Sequence, residues 1–246
     1  MNITINQIAL SDYQPGSNTA NVLALLAEQA SHTGFILFPE LCLTGFPTAQ
    51  NLDQLWQASE ACLDRIIEKS RSCSATVVLG HLEGQHYFNA CYYIRDGHIL
   101  HIHRKRRLWL DDIGIFESGT EDRTCQIDAI RCGSQICFDL EFPEGCRTLA
   151  KQGVDLILMP NGNMQPYGNT HFVLSQARAI ENQCFVVTCN RVGSGHGGNF
   201  VGESLAVSPT GKILAHLSDK EESVSIAIDI NDVQESRKTY NYIKTL

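Results

Sequence analysis

No apolar run in this 246-residue sequence approaches the length of a membrane-spanning helix. The first ten residues have neither a basic start nor a long apolar stretch, so no secretory leader is expected. Positive charge is scarce: 19 Lys and Arg stand against 27 Asp and Glu, a net charge of -8. That balance argues against nucleic acid or an anionic membrane as the main partner. The ten cysteines include no C-x-x-C pair, and the chain is too long for a disulfide scaffold. Cys62, Cys91, Cys184 and Cys189 lie in apolar patterns and read as small buried hydrophobes. A reducing cytoplasm is the expected location. No Ser/Gly/Pro-rich linker divides the chain, so residues 1–246 read as one domain. An apolar fraction of 43% can fill a sizeable core.

Residues 3–8 alternate as a strand. Ser17 is placed to cap a helix whose apolar face is Val22, Leu23, Leu26 and Ala30. Residues 35–38 and 76–79 are short apolar strands of the kind buried on both faces. Residues 51–71 read as a helix between them. Asp96-Gly97 marks a hairpin joining strands 87–95 and 98–103. A second round follows: helix from about 142, strand 156–159, helix 171–181, strand 184–188. Strand 205–207, a Pro209-Thr210-Gly211 turn and strand 224–228 close it. Two rounds of alternating strands and helices imply an α/β fold. The alternation by itself fits two facing sheets or one doubly wound sheet.

The chemistry concentrates in four segments. At Cys137 a strand stops abruptly and a helix follows through Arg147 and Leu149. A thiol at such a turn is lifted out of the sheet beside free backbone N–H groups, which favour a thiolate or an oxyanion. Phe38-Pro39-Glu40-Leu41 puts an acid directly after a buried strand. His103-Arg104-Lys105-Arg106-Arg107 is a basic run, and such runs are ordinarily solvated stripes. Period two nonetheless puts His101, His103 and Lys105 on one strand face. The fourth segment is Pro160-Asn161-Gly162-Asn163-Met164-Gln165-Pro166-Tyr167, followed by Ala177 to Asn182 and Asn190-Arg191-Val192-Gly193.

Together these segments span most of the chain and resemble the acid, lysine and cysteine motifs of the nitrilase superfamily of carbon–nitrogen hydrolases. The resemblance implies an αββα four-layer sandwich, with two facing mixed sheets and helices outside. It also implies an amidase that needs no metal and no cofactor. Amide cleavage requires a nucleophile, a base, and a cation or N–H groups for the oxyanion. By resemblance, Cys137 attacks, Glu40 moves the proton, and Lys105 with the Phe138 N–H holds the oxyanion. The family's second acid orients the lysine. Counting back from Phe116, Asp112 occupies that position, with Glu117 as the substitute on the other side. Phe138, Glu141, Asn161 and Gly162 are expected to contact the substrate.

That substrate is expected to be a small aliphatic amide. Glu141 suggests a cationic far end, an ω-amino amide, unless Arg147 or Lys105 neutralises it. An N-carbamoyl amide is the runner-up. Readings from other classes are a silent binding protein on this fold, and a Cys/His amidotransferase using His171, His196 or His216. His98, His101 and His103 fall short of a metal site without a further ligand. Gly193-Ser194-Gly195-His196-Gly197-Gly198 reads as a flexible loop at the pocket mouth, not a phosphate loop. Expected partners are the small amide and further copies of the chain in a homodimer or higher homo-oligomer.

Overall fold

The computed structural model describes residues 1–244. The first half runs β1 (Asn2–Gln7), α1 (Pro15–Glu28), β2 (Gly34–Leu37), α2 (Leu52–Ser70), β3 (Ala75–Glu83), β4 (Phe88–Arg95) and β5 (His98–Arg104). The second half begins with β6 (Cys125–Ile127), β7 (Ile130–Ser134), α3 (Pro143–Lys151), β8 (Leu156–Pro160), α4 (Gly168–Asn182) and β9 (Phe185–Cys189). It ends with β10 (Val192–Gly195), β11 (Gly198–Val201), β12 (Leu205–Val207), β13 (Ile213–His216), β14 (Glu222–Ala227) and α5 (Asn231–Thr239).

Two six-stranded sheets result, in the orders β14-β1-β2-β3-β4-β5 and β13-β12-β9-β8-β7-β6. Each is mixed. β1, β2 and β3 pair in parallel, as do β7, β8 and β9, and antiparallel strands flank both sets. Strand periodicity explains the layering. Ile3, Ile5, Phe35, Leu37 and Val78 of the first sheet share one core with Cys132, Leu156, Leu158, Phe185 and Val187 of the second. The alternate residues face outward. Ile36, Val77 and Leu79 pack on Val22, Leu26, Leu63 and Ile66 of α1 and α2. Ile157, Met159 and Val186 pack on Cys146, Leu149 and Ala179 of α3 and α4. Helices, sheet, sheet and helices form the four layers. No helix among the described residues is long and apolar enough to cross a membrane.

Three local expectations change. Ser17 does not cap α1: the helix starts at Pro15, and Gln14 flanks it without a side-chain cap. Proline's fixed φ and missing N–H suit that first turn, so no hydroxyl is needed there. α4 starts at Gly168, one turn before the expected residue 171. The glycine-rich segment is a hairpin, with Val192, Gly193, Ser194 and Gly195 facing Val201, Phe200, Asn199 and Gly198. Its glycines hide the alternation that marks a strand. By contrast, the Asp96-Gly97 turn is formed as expected, with φ of 52° and 77° at the two residues.

Candidate active site

The site forms where strand ends converge. Glu40 follows β2 by three residues, Lys105 follows β5 directly, Cys137 follows β7, and Gly162 follows β8. Ligand sites in α/β sheets gather at the carboxyl ends of parallel strands for this geometric reason.

Glu40 is fully buried. Its turn lies on Gly80 of β3, where a Cβ would come within 2.5 Å of the Glu40 Cα and 2.4 Å of the Leu41 nitrogen. Only glycine admits that approach. Leu41 takes a left-handed φ of 45°, and the Glu40 N–H donates to the Asn161 carbonyl at 3.3 Å. Glu40 Oε1 accepts hydrogen bonds from Asn89 Nδ2 at 2.7 Å and Lys105 Nζ at 2.8 Å. Oε2 is buried and has no hydrogen-bond partner among the described residues. Burial raises the Glu40 carboxyl above its ordinary value, opposed by the Lys105 charge.

Lys105 is 1% exposed and also donates to Asp112 Oδ2 at 2.7 Å. Asp112 Oδ2 accepts the Trp109 N–H at 2.9 Å, which anchors the turn that carries it. Glu117, the alternative partner for the lysine, is exposed and faces His86 at 3.3 Å. Burial alone would disfavour the ammonium, but the Glu40 and Asp112 charges outweigh it and hold Lys105 well above its ordinary value. An ammonium has three donors, and two are taken.

Cys137 has a left-handed φ of 44° and opens a 3-10 turn, Cys137–Glu141. Such a conformation in a non-glycine residue costs about 1–3 kcal/mol and is characteristic of functional turns. α3 begins only at Pro143, so a tight turn rather than an α-helix follows the thiol. Burial, then the facing Glu40 carboxylate, push the Cys137 thiol well above its ordinary value, with Lys105 and the Gly162 N–H opposing. Desolvation is the larger effect on the thiol, and the donors that favour a thiolate or an oxyanion act against it.

Gly162 fits against this centre with no room for a side chain. A Cβ there would lie 2.8 Å from Glu40 Oε2 and 2.7 Å from the Phe46 ring. The unpartnered oxygen of Glu40 thus packs against the residue whose N–H reaches the sulfur.

Asp139 ties the Cys137 turn to the lysine segment. Its Oδ1 accepts the Arg106 and Arg107 N–H groups at 3.1 and 2.7 Å. Its Oδ2 accepts the Ile136 N–H at 3.0 Å and lies 3.4 Å from His103 Nε2. Asp139, Ile136 and His103 are buried, which makes His103 part of the scaffold rather than a surface residue.

A recess of about 360 Å³, open to solvent, lies over the sulfur. Lys105, Cys137, Phe138, Glu141 and Gly162 line it, with Phe46, Trp109, Asn163, Met164, Tyr167 and His171 as its further walls. Trp109 packs edgewise on Phe138 and Tyr167, with ring centroids 4.9 and 5.3 Å apart. Asn161 stands behind the wall, its Nδ2 3.3 Å from His171 Nδ1. His171 Nε2 lies 3.6 Å from Glu141 Oε1. Both ring nitrogens of His171 thus face partners other than the sulfur. His196 is exposed on the β10–β11 hairpin and lines an adjoining recess, while His216 is exposed against Phe172. Among the described residues, no three His, Cys, Asp or Glu side chains gather as metal ligands would.

The sequence pattern of the carbon-nitrogen hydrolases matches residues 3–238. The chain belongs to the carbon-nitrogen hydrolase family. An (R)-stereoselective amidase from a Pseudomonas species is 34% identical over 249 residues, covering 99% of this chain and 90% of its own. A 2-oxoglutaramate amidase of Bacillus subtilis is 28% identical, covering 96% and 94%. Among solved structures, a CN-hydrolase superfamily protein from Xanthomonas campestris superposes with a TM-score of 0.89. That alignment covers 100% of this chain and 97% of the other at 23% identity. An amidase from Nesterenkonia sp. gives 0.86 at 23% identity, covering 97% and 94%. The two facing sheets with outer helices are the fold this hydrolase shares with both.

Asn89 was not legible in the sequence. It lies in no motif, and only the pairing of β4 with β3, on which the Glu40 turn rests, brings it to Glu40. The aromatic walls had a weaker signal, since Trp109 and Tyr167 sit within segments already singled out.

Proposed function

We propose that this hydrolase is a thiol amidase that converts a small linear amide to a carboxylate and ammonia. The observation that carries the reading is the buried Oε2 of Glu40, without a partner among the described residues, against Gly162, whose N–H reaches the Cys137 sulfur. Cys137 Sγ attacks the amide carbon as Oε2 takes the thiol proton. The third donor of Lys105, with the Phe138 N–H, receives the oxyanion. Collapse passes the Glu40 proton to the departing amine and leaves a thioester. Water, deprotonated by Glu40, then attacks the thioester; the carboxylate leaves and the thiol is restored.

An ammonia-release screen over small amides, nitriles and ureido compounds tests the reading. Turnover of linear amides is expected, abolished when alkylation at pH 7 maps to Cys137. Inactivation that tracks another cysteine, with Cys137 unmodified, would overturn it. Preferential turnover of ureido compounds would move the assignment to the N-carbamoyl class. The cysteines are all free, which supports a reducing compartment.

The acyl group is proposed to carry a cation at its far end. Glu141 lines the recess, its side chain 26% exposed, and neither internal cation neutralises it. Arg147 turns to Glu181 at 3.6 Å, and Lys105 is held by Glu40 and Asp112. An ω-amino amide should show a higher kcat/KM than its uncharged alkyl isostere, by about tenfold to a hundredfold. Glu141→Gln should erase that preference and spare the neutral amide. Equal rates for the two amides in the unaltered enzyme would remove the cationic requirement and leave the broader amidase reading.

A further inference from the structure

We infer that Asn89 is a positioning residue that decides which oxygen of Glu40 acts as the base. The inference rests on the thiol-amidase reading above. Asn89 is fully buried on β4. Its Nδ2 donates to Glu40 Oε1, and its backbone carbonyl accepts the Lys105 N–H at 2.8 Å. One residue therefore grips both the acid and the segment that carries the lysine.

A carboxylate can rotate and exchange its oxygens. Lys105 alone would not prevent that, because an ammonium is a point charge that serves either oxygen equally. Asn89 breaks the equivalence. With the Asn89 amide and Lys105 both on Oε1, that oxygen is saturated, and an incoming proton goes to Oε2. Oε2 is the oxygen without a partner among the described residues, packed against Gly162, whose N–H reaches the sulfur. The reverse orientation of the Asn89 amide would set Oδ1 against the carboxylate, oxygen to oxygen. The observed one leaves Oδ1 buried without a partner among the described residues. That unfavourable feature is the cost of aiming the donor at Glu40. The same donor favours the ionised form of Glu40, the form able to receive the Cys137 proton.

Two readouts test this on Asn89→Ala and Asn89→Asp. The first is the pH profile of kcat/KM on the best amide. The second is the pH profile of Cys137 alkylation by iodoacetamide, which needs no amide turnover. Asn89→Ala is expected to lower kcat/KM at neutral pH by about tenfold to a hundredfold, mainly through kcat. The acid limbs of both profiles should move to higher pH, so that raising the pH recovers part of the loss. Asn89→Asp, which sets a second carboxylate against Glu40, should move them further. Limb positions report only folded molecules, so a fall in yield does not imitate the effect. If Asn89→Asp does not fold, Asn89→Ala decides. Limbs that stay in place in a folded variant overturn the role of Asn89. A shifted alkylation limb with no amide turnover in the unaltered enzyme would instead sink the amidase reading and keep the positioning role.

Discussion

Glu40→Gln is expected to abolish amide turnover, by at least about two to four orders of magnitude in kcat, without loss of fold. The substitution is nearly isosteric. Its amide oxygen can take the Oε1 position and accept from Asn89 and Lys105 as before. Its NH2 group then stands where Oε2 was, and a primary amide cannot accept the thiol proton. The charge balance also tolerates the change. Glu40, Lys105 and Asp112 together carry a formal charge of -1, and Glu40→Gln brings the buried trio to zero. Because burial raises the Glu40 carboxyl, the acid limb of kcat/KM in the unaltered enzyme should lie above the ordinary carboxylate range. That sign follows from the base having to be ionised to act. Steady-state ammonia release, with circular dichroism to confirm folding, is the measurement. Turnover within tenfold of the unaltered enzyme would remove Glu40 as the base. It would return attention to a Cys/His pair, although His171 faces Asn161 and Glu141 instead.

Much of this architecture was legible because the physics is local. Residues 35–38 and 156–159 are apolar on both faces, and both strands lie in the middle of a sheet, buried between helices and the facing sheet. Asp96-Gly97 fixes its turn through the backbone freedom those residues have. What periodicity could not decide was whether the strands form one sheet or two. That depends on which strand edges pair, a long-range choice. The β10–β11 hairpin escaped for a different reason. Gly193, Gly195, Gly197 and Gly198 carry no side chains to alternate, yet Phe200 stacks on Phe46, centroids 5.9 Å apart, and anchors the hairpin at the recess.

The site shows the same division. Glu40, Lys105 and Cys137 follow strand ends within distinctive motifs, and Asp112 could be placed by counting from Phe116. Asn89 could not, because its role comes from strand register rather than from neighbours in sequence. Nor were the opposing influences on the Cys137 thiol visible. A 3-10 turn stands between the thiol and the expected helix, and burial with the facing acid outweighs the nearby donors.

Lys105→Met should lower kcat by about two to three orders of magnitude, while KM changes much less. A donor aimed at an oxyanion in a dry site is worth about 3–4 kcal/mol in the transition state, and the amide ground state gains little from it. The structure adds a second consequence. Removing the ammonium leaves Glu40 and Asp112 buried without their shared cation. Breaking a buried pair from one side costs about 3–5 kcal/mol, so the single variant should also unfold at lower denaturant concentration. The two effects separate in the double variant Lys105→Met with Asp112→Asn. Its buried formal charge returns to that of the unaltered trio, -1, now carried by Glu40 alone. Most of the stability should return, while kcat stays low because no cation meets the oxyanion. Urea unfolding gives the first quantity, and single-turnover kinetics on folded protein give the second. A double variant that regained kcat along with stability would mean that Lys105 serves the fold and not the reaction. In that case the Phe138 N–H and its neighbours would have to hold the oxyanion without a charge.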